Sequence, residues 1–378
     1  MPVYRDSAFV FDSIEQCEQT FQAESANPQS GDALIYTRYG NPTVMEVEQQ
    51  IAALEGSKWA VLNGSGMSAV DIALSLYHKA DQTGTWLFFD EIYGGTKAYI
   101  AKVLEQRRGV RVKYFAPRTG QESYDLDEFA RVLDEVRPTL LYFEPVSNPL
   151  LIVANGREII RLAKERGIPV VIDNTFATPH LWRPLADGAD IVLHSATKYL
   201  SGHGNITAGV VCGNDDALRQ AAMAYRKYVG LILSPDDAYR LGTQLKTFDL
   251  RVAKQNENAF KLAQLLASHD KVQQVRFPGL PTHPTHQEAR ALFGGSDFGA
   301  MITFDLKGGR AACETFIAAI AGHVKFLTTL GDAQSILIHV PTVFTPERFP
   351  FPGMIRFSVG FEAYDTLEAA VLKALAAV

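Results

Sequence analysis

The chemistry of this chain gathers around one lysine. Lys198 lies in Ile191-Val-Leu-His-Ser-Ala-Thr-Lys-Tyr-Leu-Ser-Gly-His-Gly204, where a buried apolar run passes straight into polar residues. A lysine at the end of a central strand is costly unless it has a partner or a task. An amine in a partly dry site loses basicity and becomes a nucleophile toward aldehydes. Ser195 and Thr197 stand beside it with hydroxyls suited to a phosphate. Taken alone, the segment reads equally well as a lysine emerging into solvent at a strand end.

Four further segments bear on the choice. In Pro169-Val-Val-Ile-Asp-Asn-Thr-Phe-Ala-Thr-Pro179, Asp173 ends another buried run. A carboxylate there can hold a proton on a pyridine nitrogen, which makes the ring an electron sink; it can also simply cap a strand end. In Leu62-Asn-Gly-Ser-Gly-Met-Ser68, glycines precede a helix. Free N–H groups at such a helix start bind phosphate, although many strand–helix turns look alike. In Asp90-Glu-Ile-Tyr-Gly-Gly-Thr96, Tyr93 can lie on a pyridine ring and move protons, or pack at a domain seam. In Gly353-Met-Ile-Arg-Phe-Ser-Val-Gly360, Arg356 can fork onto an amino-acid carboxylate or form an internal ion pair.

The elements that must position these residues follow an alternating pattern. Strands are expected at 59–62, 86–90, 110–115, 140–143, 170–173, 191–194 and 208–212, separated by helices at 67–78, 97–106, 126–135 and 157–166. A further helix is expected over 43–56, with Val44, Val47, Ile51 and Leu54 on one face and Gly56 to end it. Alternation of this kind implies a mostly parallel sheet with helices on both faces, and ligands at the carboxyl ends of its strands. The pattern changes near Ser234. One long helix is expected over 236–268, then strands at 272–277, 300–306, 336–339 and 355–359, and a closing helix at 367–377. Four prolines make 341–352 an expected loop.

Composition sets the outer limits. With 47% apolar and 21% charged residues over 378 positions, the chain suits a large domain and a smaller one in a globular enzyme. A net charge of −6 argues against nucleic-acid binding. The three cysteines, Cys17, Cys212 and Cys313, are far apart, which favours a reducing compartment over a disulfide scaffold. No apolar run is long enough to span a membrane, and the N-terminus lacks the core of a secretory signal. The cytoplasm is the expected address.

Together these segments make the chain resemble the Cys/Met-metabolism family of cystathionine γ-synthase, cystathionine γ-lyase, methionine γ-lyase and O-acetylhomoserine sulfhydrylase. The resemblance runs from Pro2 to Glu362 and is most specific in Tyr36-Thr-Arg-Tyr-Gly-Asn-Pro-Thr43 and in 195–203. It implies an α/β fold of the aspartate-aminotransferase type (fold type I), with a large, mostly parallel seven-stranded sheet and a smaller C-terminal α/β domain. The implied division is an N-terminal segment 1–40 contacting a neighbouring subunit, a cofactor domain 41–234 and a smaller domain 235–378. The cofactor it implies is pyridoxal 5'-phosphate, with Lys198 as the Schiff-base lysine and Asp173 as the partner of the ring nitrogen. Gly66, Met67, Ser195 and Thr197 match the phosphate cup, and Tyr93 matches a ring-stacking catalytic tyrosine. Tyr36 and Arg38 match a pair that reaches a neighbour's phosphate. Asn148, in Pro145-Val-Ser-Asn-Pro149, matches a residue near the cofactor O3′ and the substrate. Thr329, Ser335 and Arg356 match further substrate contacts. A homodimer is the implied minimum unit, assembling to a homotetramer.

The implied reaction is γ-elimination or γ-replacement on a sulfur-containing or O-acylated homoserine-type amino acid, with β-elimination as the alternative within the family. Thr329-Leu-Gly-Asp-Ala-Gln-Ser335 resembles the lyase and sulfhydrylase form. Gly95 stands where methionine γ-lyases have a cysteine, and the shortened, aromatic segment 340–351 is expected to border the substrate mouth. Other chemistries fit poorly. Ser195-Ala-Thr-Lys198 is also an S-x-x-K, but the companion motifs of serine acyl-enzymes are missing. Gly202-His-Gly-Asn-Ile-Thr207 lacks the third glycine of a dinucleotide loop. Pro281-Thr-His-Pro-Thr-His286 reads as solvated surface rather than a metal site, and no metal is expected. A binding protein on this fold would be expected to lose Lys198 or Asp173.

Overall fold

The computed structural model describes residues 1–26, 34–79, 83–117, 122–344 and 349–378. Among these, strands form two sheets. The larger holds β1 (Trp59–Asn63), β2 (Thr85–Phe89), β3 (Arg111–Phe115), β4 (Leu140–Phe143), β5 (Val170–Asp173), β6 (Ile191–His194) and β7 (Gly209–Gly213) in the order β1-β7-β6-β5-β4-β2-β3. Strands β3, β2, β4, β5 and β6 run parallel, and β7 is antiparallel to both its neighbours. The central strands are buried along almost their whole length, as expected for a sheet covered on both faces.

This topology decides where the site must be. Because β7 reverses between β6 and β1, the carboxyl ends of β1, β2, β4, β5 and β6 share one edge. The register Asp173↔Leu193 brings Asp173 level with the end of β6. Asn63 and His194 pair with the adjacent residues Gly209 and Val210 of β7. The helix Gly66–Ser75, which follows β1, therefore starts beside Ser195.

The smaller sheet holds β8 (Val272–Arg276), β9 (Met301–Leu306), β10 (Lys325–Phe326), β11 (Ile336–His339) and β12 (Met354–Ser358), in the order β10-β11-β12-β9-β8. Arg356 sits in β12, opposite Thr303 on one side and Ile338 on the other.

Local signals account for most boundaries. The helix Pro42–Glu55 starts on Asn41, whose side chain accepts the Thr43 N–H, and ends at Gly56 with φ 71°. Val44, Val47 and Ile51 face the core. The long helix expected over 236–268 is two helices, Pro235–Leu245 and Phe248–Ser268. The chain steps out at Thr247 (φ −111°, ψ 11°). The carbonyl of Gln244 freed there accepts from Thr247 Oγ1 at 3.1 Å and Arg251 Nη2 at 3.2 Å. The helix expected over 97–106 starts earlier, at Gly94, and widens to a π-helical stretch over Ile100–Glu105.

Two loop expectations need correction. Val340–Val343 is a helical turn, and Val340, Phe349 and Met354 form a small apolar core with Leu150, Phe344 and Phe351 packed against it. The rest of that loop, 345–348, lies outside the described residues. His283 is buried rather than solvated, at 4% exposure, and burial pulls its basicity down to about 4. Among the described residues, no helix is long and apolar enough to cross a membrane, and no group of His, Cys, Asp and Glu could hold a metal ion.

Candidate active site

The shared strand edge opens into a cavity of about 260 Å³. Gly66, Met67, Tyr93, Asn148, Asp173, Ser195, Thr197, Lys198, Thr329 and Arg356 all line it. They come from five strand ends of the large sheet and from two segments of the smaller one.

At one end is a cup for an anion. The first N–H groups of a helix have no intrahelical acceptor, and those of Gly66 and Met67 belong to the first turn of Gly66–Ser75. Ser195 lies against them. A Cβ on Gly66 would stand 2.7 Å from the Ser195 Cβ and 2.8 Å from its Oγ, so any side chain at 66 would fill the cup. Thr197 has its hydroxyl engaged with the Ala208 backbone, donating to the carbonyl at 3.1 Å and accepting the N–H at 3.0 Å. That bond fixes the turn between β6 and Lys198.

At the floor are two carboxyl groups, Glu144 buried and Asp173 partly so. Asp173 Oδ1 accepts from the Thr175 N–H at 3.0 Å and its hydroxyl at 2.5 Å, while Oδ2, among the described residues, has the Tyr142 hydroxyl at 3.4 Å. Burial pushes the Asp173 carboxyl up, against the pull of Thr175's donors. Glu144 follows β4 and lines the same cavity. Its carboxyl is held well above the usual range, by burial first and by Asp173 second. Its Oε1 accepts the Tyr93 N–H at 2.6 Å. The Tyr93 ring itself is half exposed at the mouth. It packs so close to Gly95 that a Cβ there would lie 2.4 Å from a ring carbon, which leaves no room for a cysteine without displacing the ring.

The reactive groups meet at Thr329. Lys198 Nζ donates to the Thr329 hydroxyl at 2.7 Å. Arg356 Nη2 donates to the carbonyl of the same residue at 3.1 Å, and Nη1 to Asn148 Oδ1 at 2.9 Å. Burial, with the charge of Arg356 adding to it, lowers the Lys198 amine to about 8. Burial also lowers Arg356 to about 10. Arg356 Nε is buried with no acceptor among the described residues. An unpaired buried donor of this kind is expensive unless a ligand completes it.

These features fit pyridoxal phosphate and an amino acid. The cup suits a phosphate, the weakly held Asp173 Oδ2 suits a protonated ring nitrogen, the amine suits an aldehyde, and the Arg356 guanidinium suits a carboxylate.

Three expected residues stand elsewhere. Tyr36 and Arg38 do not line this chain's own cavity. They lie at the surface, where Arg38 donates to the Lys227 carbonyl at 2.7 Å and its guanidinium sits 5.6 Å from the Tyr36 ring centre. Ser335 is not a wall of the cavity: it is fully buried, its hydroxyl accepts the Gly360 N–H at 2.9 Å, and its own N–H donates to Glu362. It ties the 329–335 segment to the end of β12. Nor do the described residues of 340–351 line the cavity; Val340, Phe344, Phe349 and Phe351 pack instead into the small core around Met354. Glu144 was not among the expected residues, although it carries the same signal as Asp173, a carboxylate just past a buried strand.

Comparison with known proteins gives a consistent result. The model of a family described as Cys/Met metabolism PLP-dependent enzyme matches residues 1–376. The chain is 36% identical over 380 residues to an L-methionine gamma-lyase of Fusobacterium nucleatum subsp. polymorphum, covering 98% of this chain and 91% of that one. It is 36% identical over 355 residues to a cystathionine beta-lyase of Lactococcus lactis subsp. cremoris, covering 90% and 88%. Its fold is similar to the crystal structure of cystathionine gamma synthase from Xanthomonas oryzae pv. oryzae in complex with cystathionine. There the TM-score is 0.87 at 32% identity, over 99% of this chain and 92% of that one.

Proposed function

The chain belongs to the family of Cys/Met metabolism PLP-dependent enzymes, and on that premise we propose that it catalyses γ-elimination or γ-replacement on a sulfur-containing or O-acylated homoserine-type amino acid. It is an enzyme of fold type I whose cofactor is pyridoxal phosphate. The observation that carries the proposal is the meeting of Lys198 and Arg356 on Thr329. It sets a proton-accepting amine and a guanidinium able to bind a carboxylate on the same residue, side by side in one cavity.

Each residue then has a defined task. Arg356 offers its guanidinium to the substrate carboxylate, with Asn148 and the Thr329 carbonyl holding it in place. Lys198 carries the cofactor and, once free, takes the proton from the substrate α-carbon; a basicity near 8 leaves a useful fraction of neutral amine at cellular pH. When bound, pyridoxal phosphate supplies an electron sink for the charge left at that carbon. Asp173 holds the proton on the ring nitrogen. Tyr93, half exposed at the mouth, would transfer a proton to the departing γ-group. Tyr36 and Arg38 complete the phosphate cup of a second copy, so the working unit is a homodimer.

Incubation with methionine, homocysteine, cystathionine and O-acylated homoserines in deuterated water tests the reaction. Deuterium at both α and β positions of the recovered substrate, with the γ-group released and a four-carbon 2-oxo acid or a γ-replaced amino acid formed, is the expected result. Exchange confined to the α position, with pyruvate released, would favour β-elimination. That second reading has support in the likeness to a cystathionine beta-lyase.

A further inference from the structure

Arg251 has no part in the cavity. It stands in the first turn of the helix Phe248–Ser268, just past the break at Thr247. Its side chain is buried, at 5% exposure, yet its partners are all neutral oxygens. Nη1 donates to the Tyr199 carbonyl at 3.0 Å, and Nη2 to the carbonyls of Leu200 at 3.1 Å and Gln244 at 3.2 Å. Nε donates to Thr247 Oγ1 at 3.2 Å. Burial alone lowers its basicity, to about 10. A guanidinium buried on carbonyls with no counterion among the described residues is an expensive arrangement, so it calls for an explanation beyond packing.

The explanation lies in what those carbonyls belong to. Tyr199 and Leu200 are the two residues directly after Lys198. The turn they form closes through the Ser201 N–H to Ala196 at 3.0 Å and the Gly202 N–H to Lys198 at 2.7 Å. Gly202 has φ +66°, and a Cβ on it would stand 1.7 Å from Arg251 Nη1. The chain leaves out a side chain there to admit the guanidinium. On the opposite flank Gly331, with φ +75°, lies so close that a Cβ would be 2.8 Å from the Tyr199 nitrogen. On the β6 side, Thr197 already fixes the turn.

We infer that Arg251 is a positioning residue: by gripping the Tyr199 and Leu200 carbonyls it fixes where the Lys198 amine stands relative to Thr329 and the substrate α-carbon. The inference rests on Lys198 being the residue that carries the cofactor and moves the proton.

The test uses the cofactor-loaded enzyme in three variants, Arg251→Met, Arg251→Lys and Gly202→Ala. In Arg251→Met, kcat should fall by about a hundredfold, the scale for a misplacement of roughly 1 Å. KM should stay near its original value, because Arg356 and Asn148 still hold the substrate. The pH profile of kcat should move, and amide exchange should quicken in residues 196–202 but not across β1. Arg251→Lys should recover part of kcat, since an ammonium can reach one of the two carbonyls. Gly202→Ala, strained at φ +66° as well as crowding the guanidinium, should show the loss with the arginine retained, and Arg251→Lys decides the matter if Arg251→Met does not fold. Unchanged kcat and pH profile in the folded variants, or a loss of melting temperature alone, would overturn the inference. Borohydride fixation and peptide mapping of the parent enzyme separate the two levels. Cofactor fixed on another lysine removes the premise, whereas cofactor on Lys198 with variants that behave like the parent removes only the role of Arg251.

Discussion

Replacing Lys198 with alanine leaves a folded chain that neither turns over substrate nor retains cofactor after borohydride treatment. The lysine has two tasks, and the substitution removes both. Losing the proton-transfer group costs roughly 10²–10⁴-fold in rate by itself, and losing the covalent hold on the cofactor adds to that. The fold tolerates the change because the turn stays closed by Ser201 and Gly202 backbone bonds, and Thr329 is left with a hydroxyl that can rotate to water. Parent-like activity in purified Lys198→Ala, or a borohydride-fixed cofactor on another peptide, would refute the assignment. The same variant probes the shared site. Mixed with Arg38→Ala, it forms heterodimers in which one site holds an intact lysine and receives an intact arginine. Activity should return to that site, and its absence in heterodimers shown to form would rule out the exchange of Arg38 between subunits.

The second large effect is expected at Asp173. Asp173→Asn is nearly isosteric, and its amide oxygen can still accept both bonds from Thr175. What it loses is the charge facing the ring nitrogen. Each pKa unit of lost support for the ring proton is worth about 1.4 kcal/mol. Removing one preorganised electrostatic partner lowers rates by roughly 10²–10³-fold. We therefore expect Asp173→Asn to bind cofactor on Lys198 while exchange of the substrate α-proton, read by NMR in deuterated water, slows on that scale. Near-parental exchange would mean that another group holds the ring proton.

The residues legible in the sequence share one property: each lies where a buried strand gives way to polar chain. Lys198, Asp173 and the Gly66 turn announce themselves by that switch, because the topology of a mostly parallel sheet brings strand ends to one edge. Glu144 belongs to the same class and was readable by the same rule. Arg251 was not. It acts through carbonyls 51 and 52 residues away in sequence, and a carbonyl leaves no mark on residue type. Ser335 shows the limit from the other side. A serine beside a substrate loop is expected as a contact from residue type alone, and only the structure shows that its hydroxyl also accepts the Gly360 N–H. Among the helices, Asp216–Val229 escaped the periodicity reading because its buried face is thin, only Ala222, Met223 and Arg226. Its ends were nevertheless marked by Asp215, which caps the first turn, and by Gly230 at φ 82°. The Asp236–Ser268 stretch read as one helix because apolar periodicity does not register a single residue stepping out of line at Thr247.

The burial that tunes Lys198 also enters the folding equilibrium. In the cofactor-free chain the folded state holds this amine at about 8, against an ordinary value of 10.5. Between those two values the unfolded chain binds the extra proton, so stability rises with pH across that interval. Below 8 both states are protonated and the destabilisation is present in full; above 10.5 it has vanished. A Lys198→Met chain, which has no amine to desolvate, should therefore melt at a higher temperature than the cofactor-free parent at pH 7, and the gap attributable to this group should narrow as the pH is raised past 8. Calorimetry of the two cofactor-free chains across that interval reads the difference, and a gap that does not change with pH would mean that the amine is solvated in the empty protein. The residue on which the chemistry turns is thus, before the cofactor arrives, a proton-linked weak point in the fold.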